Sequence, residues 1–160
     1  MAPVDPADID IATLAWLTGS AANRYLLDAT KTLGHPGVRI SHGYVLQHLI
    51  DGQPTVTELA KGMGVTQQRA STQVRELEQL GYVTRRPDDT DSRVRRVCLT
   101  PHGNALIADS RHAREELNAE LARIVGEDRL RATAETLAHL LESVGGAAQV
   151  RRRAAPAPEE

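Results

Sequence analysis

The stretch TVTELAKGMGVTQQRASTQVRELEQLG, residues 55–81, decides the fold because it predicts two short helices joined by a tight, glycine-containing turn. Thr55 and Glu58 stand three residues apart, which is the spacing of a capping box at the start of a helix. Thr66 is a favourable cap for the second helix, and Gly81 suits the left-handed residue that ends it. This order of caps and glycines predicts a helix-turn-helix motif.

The second helix of this motif carries an unusually polar surface. No acidic residue occurs between Thr66 and Arg75, although an ordinary solvated helix usually carries charges of both signs. Gln, Arg, Ser and Thr side chains bind base edges and phosphates, and a recognition helix reads DNA with its N-terminal part. The alternative is a polar face that only keeps the helix soluble. The candidate DNA-contacting residues are Thr66, Gln67, Gln68, Arg69, Ser71, Thr72, Gln73 and Arg75.

A hairpin is predicted directly after this helix. YVTRR and RRVCL have the composition of two strands, and the turn-rich segment PDDTDS joins them. Arginines beside a DNA groove neutralise phosphates or enter the narrow minor groove. We expect Asp91 to orient Arg93, because an acid facing the DNA backbone would repel it. The alternative is a solvated hairpin with internal ion pairs, each of which contributes little. The candidate wing residues are Arg86, Asp91, Arg93 and Arg95.

Longer helices are predicted on both sides of this segment. Asp5 is a suitable cap for a first helix with Pro6 at its first position, and apolar residues at helical spacing continue it to the GHPG break. A second helix is expected over residues 41–50. Thr100 caps a fifth helix with Pro101 at its first position, and a sixth follows. The expected fold class is mainly α with a small β wing.

Composition and motif searches exclude several classes of protein. The net charge of −2 gives no general argument for nucleic acid, so the argument rests on the arginines near the middle of the chain. The single cysteine, Cys98, excludes an intrachain disulfide framework. The absence of a signal-peptide pattern and of a long apolar run predicts a cytoplasmic protein with no membrane segment. Scattered histidines predict no metal site, and no cofactor motif or catalytic motif argues for an enzyme.

The segment that carries the helix-turn-helix and the hairpin resembles the MarR family of transcriptional regulators. The family's wing pattern is close to D-x-R-D-x-R followed by L-T-x-x-G. Its wing-tip arginine, which enters the minor groove, falls on Arg93, whereas its first wing arginine falls on Thr90 and is missing here. The missing arginine at position 90 puts one contact with the DNA backbone in question, whereas the rest of the wing pattern is retained. The matching positions are Asp88, Asp91, Arg93, Leu99, Thr100 and Gly103.

The resemblance implies a winged helix-turn-helix domain within an obligate homodimer that binds a palindromic operator, usually as a repressor. It implies an N-terminal dimerisation helix at residues 1–33, a DNA-binding domain at 38–100 and C-terminal dimerisation helices at 101–146. Residues 147–160 are charged and rich in Pro and Ala, which predicts a disordered tail.

The resemblance also implies an effector site, because members of the family are often released from DNA by small phenolic or aromatic acids. The implied pocket lies near the first, second and fifth helices. Trp16 is alternatively a core or interface residue, since large aromatic side chains are mostly buried. The candidate pocket residues are Trp16, Arg24, His42 and Arg111.

A different class of function is a protein-interaction module that uses a winged helix without binding DNA. Acidic substitutions on the recognition helix would favour that alternative. Residues 67–75 carry none, which favours DNA binding.

Overall fold

The computed structural model describes residues 4–154 and has a mainly helical fold with one two-stranded sheet. This architecture confirms the predicted fold class, mainly α with a small β wing. Its elements in chain order are α1 (Ile11–Thr32), α2 (Ile40–Leu49), α3 (Val56–Met63), α4 (Gln67–Gln79), β1 (Val83–Pro87), β2 (Arg95–Leu99), α5 (Pro101–Val125), α6 (Glu127–Ser143) and α7 (Ala147–Arg151).

The first long helix begins later than the sequence predicts. Asp5 caps only a 3-10 turn over Pro6–Asp8, after which the backbone becomes extended. Asp10 caps α1 instead, because its Oδ1 accepts hydrogen bonds from the backbone N–H groups of Ala12 (3.1 Å) and Thr13 (3.0 Å). The predicted start at Asp5 is therefore wrong. Both aspartates are good caps in the sequence, and only the geometry of the chain distinguishes them.

The helix-turn-helix forms through the caps that the sequence predicts. The hydroxyl of Thr55 accepts the backbone N–H of Glu58 at 3.2 Å, and the Glu58 carboxylate accepts the backbone N–H of Thr55 at 2.7 Å. Gly64 ends α3 in the left-handed conformation (φ 68°, ψ 31°), which glycine adopts without a steric penalty. Thr66 caps α4, and Gly81 follows its end with a φ of 79°. The predicted capping box and caps of the motif are confirmed.

The apolar core of the protein lies within the winged helix. Side chains from α2, α3, α4, the hairpin and the start of α5 meet there, and each large aliphatic one stabilises the fold by about 1.5–3 kcal/mol. Gly103 allows α5 to begin directly against this core, because a Cβ at that position would overlap the carbonyl oxygen of Tyr82. The core contains Val45, Leu49, Leu59, Met63, Ala70, Val74, Leu77, Tyr82, Val97 and Leu106.

The hairpin is attached to the rest of the winged helix at its base. β1 and β2 pair antiparallel, with Val83 opposite Leu99 and Pro87 opposite Arg95. The backbone N–H of Val97 donates to the carbonyl oxygen of Pro54 at 2.9 Å, which joins β2 to the loop between α2 and α3. This attachment fixes the position of the turn between the strands relative to α4.

The helices α1, α5 and α6 form a second layer, in which α1 packs on α5 and α5 packs on α6. Large apolar side chains are exposed on all three, including Trp16 (65% exposed), Ile124 and Leu141, and Val144 is exposed directly after α6. Trp16 is therefore not a core residue of the single chain, and its place in an interface stays a prediction. No helix among residues 4–154 combines the length and the hydrophobicity needed to cross a membrane.

The segment predicted to be a disordered tail is partly helical. After α7, the guanidinium of Arg153 donates to the carboxylate of Asp51 (2.8 Å) and to the carbonyl oxygen of Gln47 (3.1 Å). These contacts hold the segment against the end of α2, so the prediction of disorder is wrong for residues 147–154. Residues 155–160 contain the prolines that motivated the prediction, and they lie outside the described residues.

Candidate nucleic-acid interface

Helix α4 presents a polar face on the side opposite its buried face. Ala70 and Leu77 are fully buried against the core, and they stand seven residues apart on one face. Gln68, Thr72 and Arg75 are exposed, and their i, i+4, i+7 spacing places them together on the other face. This face has the side chains and the free access that contact with a DNA groove requires.

Some polar side chains of α4 already have partners within the protein. The Gln67 amide donates to the Thr57 hydroxyl of α3 at 3.2 Å, and the Thr72 hydroxyl donates to the carbonyl oxygen of Gln68 at 3.0 Å. The Thr66 hydroxyl accepts the backbone N–H of Arg69 at 3.2 Å. Within residues 4–154, five of the predicted contact side chains form no hydrogen bond or ion pair, namely Gln68, Arg69, Ser71, Gln73 and Arg75.

Gln73 does not belong to the exposed face. It is only 7% exposed, because it lies three residues after Ala70 and four before Leu77, on the edge of the buried face. Its Oε1 is buried and accepts no hydrogen bond from the described residues. The prediction that Gln73 reaches DNA is therefore wrong for this conformation. Polarity alone suggested an outward position, whereas helical geometry assigns it to the core side.

Asp88 organises the turn of the wing. Its Oδ1 accepts the backbone N–H and the hydroxyl of Thr90, at 2.8 and 2.5 Å, and the backbone N–H of Asp91 at 3.2 Å. Its other oxygen accepts a hydrogen bond from Arg96. The hydrogen bond from the Thr90 hydroxyl, followed by that from Arg96, holds the pKa of the Asp88 carboxyl well below its usual range. Thr90, which replaces the family's arginine, thus closes the turn.

Arg93 is the most exposed charged side chain of the wing pairs, with 90% of its side chain accessible. The Asp91 carboxylate accepts the backbone N–H of Arg93 at 3.0 Å and its Nε–H at 3.2 Å. The predicted contact between Asp91 and Arg93 is present. It fixes the start of the arginine side chain while leaving the guanidinium open to solvent.

The remaining wing arginines fall into two groups. Arg85 lies 3.2 Å from a carboxylate oxygen of Glu78 on α4, and Arg96 donates to Asp88 and to the carbonyl oxygen of Gln53. These two arginines therefore hold the wing in place. Arg86 and Arg95 are exposed at neighbouring positions of β1 and β2, and neither forms an ion pair within the described part of the chain.

Glu76 connects α4 to the start of α2, a feature that the sequence did not indicate. Its carboxylate accepts two hydrogen bonds from Nη1 of Arg39, at 3.1 and 3.2 Å, and lies 2.8 Å from Nε2 of the buried His42. The hydrogen bond with His42 is the main cause that lowers the pKa of Glu76. The contacts span 34 and 37 positions, so no local pattern predicts them.

A cavity of about 350 Å³ lies between α1, α2 and α5. Of the four predicted pocket residues, only Arg111 lines it. Trp16 and Arg24 are exposed elsewhere on α1, and His42 faces Glu76. The predicted grouping is therefore wrong, because it was based on helix order without the rotation of each helix. The cavity is instead lined by Asn23, Leu26, Leu27, Thr30, Val38, Arg39, Ile40, Gly43, Tyr44, Leu46, Gln47, Ile50, Leu106, Ile107, Ser110, Arg111 and Arg114.

Solved structures share this fold over most of their length. YusO from Bacillus subtilis has 22% sequence identity and a TM-score of 0.67, with 88% of this chain and 99% of YusO covered. A mutant of S. aureus MepR bound to an oligodeoxyribonucleotide has 20% identity and a TM-score of 0.62, with 86% and 99% covered. The haem sensor PefR from Streptococcus agalactiae, in complex with haem, has 19% identity and a TM-score of 0.61, with 84% and 93% covered. No curated protein matches the sequence.

The sequence itself matches a family model. Residues 37–94, which include α2, the helix-turn-helix and most of the wing, match the model of the MarR family. Members of this family are transcription regulators and not enzymes. The motif, the fold and this match agree, and residues 37–94 are similar to the MarR family of winged helix-turn-helix transcriptional regulators.

Proposed function

We propose that this regulator binds a near-palindromic operator as a homodimer and represses transcription. The observation that carries the proposal is the exposed polar face of α4 beside the open guanidinium of Arg93. In this arrangement α4 enters the major groove, and Gln68 and Arg75 reach base edges or phosphates. Arg93 enters the adjacent minor groove, where the negative potential of DNA is concentrated. The DNA-bound structure of MepR, which has the same fold, supports this reading.

The homodimer is proposed from the apolar surface of the helical layer. Trp16 on α1, Ile124 on α5 and Val144 directly after α6 are each exposed in the single chain, and large apolar surfaces usually mark an interface. A two-fold dimer through this layer presents two copies of α4 on one side. Their separation in such a complex corresponds to about one turn of DNA, roughly 34 Å.

An effector site is proposed in the cavity between α1, α2 and α5. Its volume falls in the range of about 300–1,000 Å³ that small-molecule sites occupy. Leu26, Leu106 and Ile107 supply apolar contacts, and Arg111 and Arg114 supply positive charge. A small aromatic acid matches both features, because its ring is apolar and its carboxylate is negatively charged.

The test is a titration of the protein with DNA from its own promoter region. We expect saturable, sequence-specific binding whose logarithmic affinity falls steeply and linearly with the logarithm of salt concentration. Arg93→Ala is expected to weaken binding about tenfold and to leave the dimer intact, because this side chain is 90% exposed and lies in the wing.

The matched control for Arg93 is Arg131→Ala. Arg131 is an exposed arginine that also pairs with a nearby aspartate, Asp128, but it lies on α6. We expect it to leave affinity for DNA unchanged. Weak binding without sequence preference in the unmodified protein would contradict the proposed function, and equal affinities of the two variants would remove the role of the wing.

A further inference from the structure

Arg96 on β2 connects the turn of the wing to the start of the helix-turn-helix. Its Nε donates to the carboxylate of Asp88, directly before the turn. Its Nη1 donates at 3.1 Å to the carbonyl oxygen of Gln53, in the loop between α2 and α3, and lies 3.4 Å from a carboxylate oxygen of Glu58 on α3. One guanidinium therefore binds groups on both sides of the gap between the wing turn and α3.

The two carboxylates that Arg96 binds are themselves held in place. Glu58 belongs to the capping box of α3, so its carboxylate already accepts a backbone N–H at 2.7 Å. Asp88 is only 11% exposed, and its other oxygen accepts the backbone N–H groups of Thr90 and Asp91. Because both ends of the connection are ordered, the guanidinium keeps the turn at one distance from α3.

The other attachments of the wing lie further from its turn. They involve Arg85, which pairs with α4, and Val97, whose backbone N–H donates to the loop between α2 and α3. These two residues face each other in the ladder, whereas Asp88 lies beyond its last pair. Loss of the Arg96 guanidinium would therefore leave the hairpin attached but free its turn to change its distance from α3.

Arg93 is held by the same turn. The Asp88 carboxylate accepts the backbone N–H of Asp91 at 3.2 Å, and the Asp91 carboxylate in turn accepts the backbone N–H and the Nε–H of Arg93. A continuous series of polar contacts therefore runs from α3 through Arg96 to the exposed guanidinium of Arg93. Position 96 is not part of the family's wing pattern, so this connection does not follow from the resemblance.

We propose that Arg96 is a positioning residue for DNA binding, which sets the distance of Arg93 from α4 through Asp88 and contacts no phosphate itself. The inference rests on the proposed function. The alternative is that Arg96 is one more cation that neutralises a DNA phosphate. The two roles give different results when the charge at position 96 is kept, and opposite results when the charge of Asp88 is removed.

The first experiment compares two substitutions of Arg96 in the full-length protein, by fluorescence anisotropy with a labelled duplex from its own promoter region. Arg96→Gln is expected to bind this DNA roughly threefold more weakly. Arg96→Lys should bind about as weakly, because a single ammonium group does not bind the carboxylate and the distant carbonyl oxygen together as a planar guanidinium does. Unmodified affinity in Arg96→Lys would show that charge alone matters and would overturn the proposal.

The second experiment uses Asp88→Asn, for which the two roles predict opposite signs. Removal of a negative charge from the wing reduces repulsion of DNA, so electrostatics alone predicts tighter binding. Loss of the partner of Arg96 predicts binding that is roughly threefold weaker. The matched control is Asp89→Asn, because Asp89 is exposed in the same turn and forms no hydrogen bond within residues 4–154. This control should bind DNA as tightly as the unmodified protein or more tightly, and the same result in Asp88→Asn would contradict the proposal.

The third experiment combines each substitution with Arg93→Ala. A residue that acts through Arg93 loses its effect when Arg93 is absent, so Arg96→Gln should weaken binding by less than about 1.5-fold in that background. Arg95→Gln is the comparison, because Arg95 is the exposed neighbour of Arg96 and forms no ion pair within the described part of the chain. Its effect should be the same in both backgrounds. An equal loss from Arg96→Gln in both backgrounds would assign Arg96 a contact of its own.

Hydrogen exchange in the absence of DNA gives a reading that does not depend on binding. The backbone N–H groups of Thr90 and Asp91 donate to Asp88, and in Arg96→Gln they should exchange faster than in the unmodified protein. Binding is compared at a temperature where circular dichroism shows every variant fully folded, so a general loss of stability would not weaken it. Unchanged exchange in Arg96→Gln would overturn the connection between Arg96 and the turn.

The outcomes separate this inference from the proposed function. Sequence-specific binding by the unmodified protein, with equal affinity in Arg96→Gln, would overturn the inference and leave the proposed function standing. Binding without sequence preference in the unmodified protein would contradict the proposed function, and with it a role for Arg96 in DNA recognition. Specific binding that is weakened alike by Arg96→Gln, Arg96→Lys and Asp88→Asn would support both.

Discussion

The winged helix and the helical layer of this protein bury their apolar side chains to very different extents. In the winged helix, Met63, Val74 and Leu77 are completely inaccessible to solvent. In the layer, Trp16 on α1 and Val144 at the end of α6 expose 65% and 70% of their surface. One region is thus complete in a single chain, whereas the other presents apolar surface that a single chain does not cover.

The difference indicates that the two regions have separate sources of stability. The winged helix is stabilised by burial within the chain, which is proportional to the apolar area removed from water. In the proposed homodimer, the layer gains stability from burial against the partner chain. Substitutions in the winged helix should therefore act on unfolding, and substitutions on the layer should act on association.

The largest expected effect is that of Leu77→Ala in the winged helix. Leu77 is fully buried on α4, and truncating such a residue leaves a cavity, so the free energy of unfolding should fall by about 2–5 kcal/mol. Chemical denaturation at a fixed protein concentration measures this loss. Leu33→Ala is the matched control, because Leu33 is half exposed at the end of α1 and should cost less than about 1 kcal/mol. Similar losses of unfolding free energy in both variants would contradict the proposed difference between the winged helix and the helical layer.

The local features of the winged helix could be predicted from the sequence because each depends on residues close together. The capping box of Thr55 and Glu58 and the left-handed Gly64 involve neighbours along the chain. The burial of Gln73 was missed because its polarity suggests the surface. Its spacing from Ala70 and Leu77 on the same helix places it at the edge of the buried face.

The candidate site depends in part on long-range contacts, and these are absent from any local pattern. Asp91 and Arg93 are two positions apart, so their contact could be anticipated. Arg39 and Glu76 are 37 positions apart, and their contact depends on how α2 and α4 cross. The same limitation explains why the predicted pocket residues were wrong. The helices around the cavity were named correctly, but the rotation of α1 and α2 about their own axes places Trp16 and His42 away from it.

An intermediate effect is expected for Val144→Asp on the layer. A charge within the proposed apolar interface would be buried without a partner, so the proposed dimer should dissociate at least roughly tenfold more readily. Sedimentation over a range of concentrations measures the dissociation, and circular dichroism should show unchanged helix content. Glu135→Gln is the control because Glu135 lies nine positions earlier, on the opposite face of α6. A dimer of unchanged affinity in the Val144 variant would place the interface elsewhere.

The smallest effect concerns the wing turn, which is exposed like the layer but ordered by polar contacts like the helix caps. The pKa of Asp88 is lowered in the folded protein, first by the Thr90 hydroxyl and then by Arg96. Because the pKa of the folded carboxyl is lowered, the ionised carboxylate stabilises the fold at pH values above about 3.9, the ordinary pKa of an aspartate in an unfolded chain. This stabilisation is lost as the pH falls toward the pKa of the folded carboxyl. Asp88→Asn should therefore be less stable than the unmodified protein at pH 7.

The difference in stability between Asp88→Asn and the unmodified protein should shrink as the pH is lowered below about 4, because the carboxyl of the unfolded chain then takes up a proton while the folded carboxyl stays ionised. Denaturation measured at pH 7 and at pH 3 provides the comparison. Asp89→Asn is the control, since Asp89 is exposed in the same turn and forms no hydrogen bond within residues 4–154. If the stability difference between Asp88→Asn and the unmodified protein were the same at both pH values, the order of the turn would not depend on the charge of Asp88.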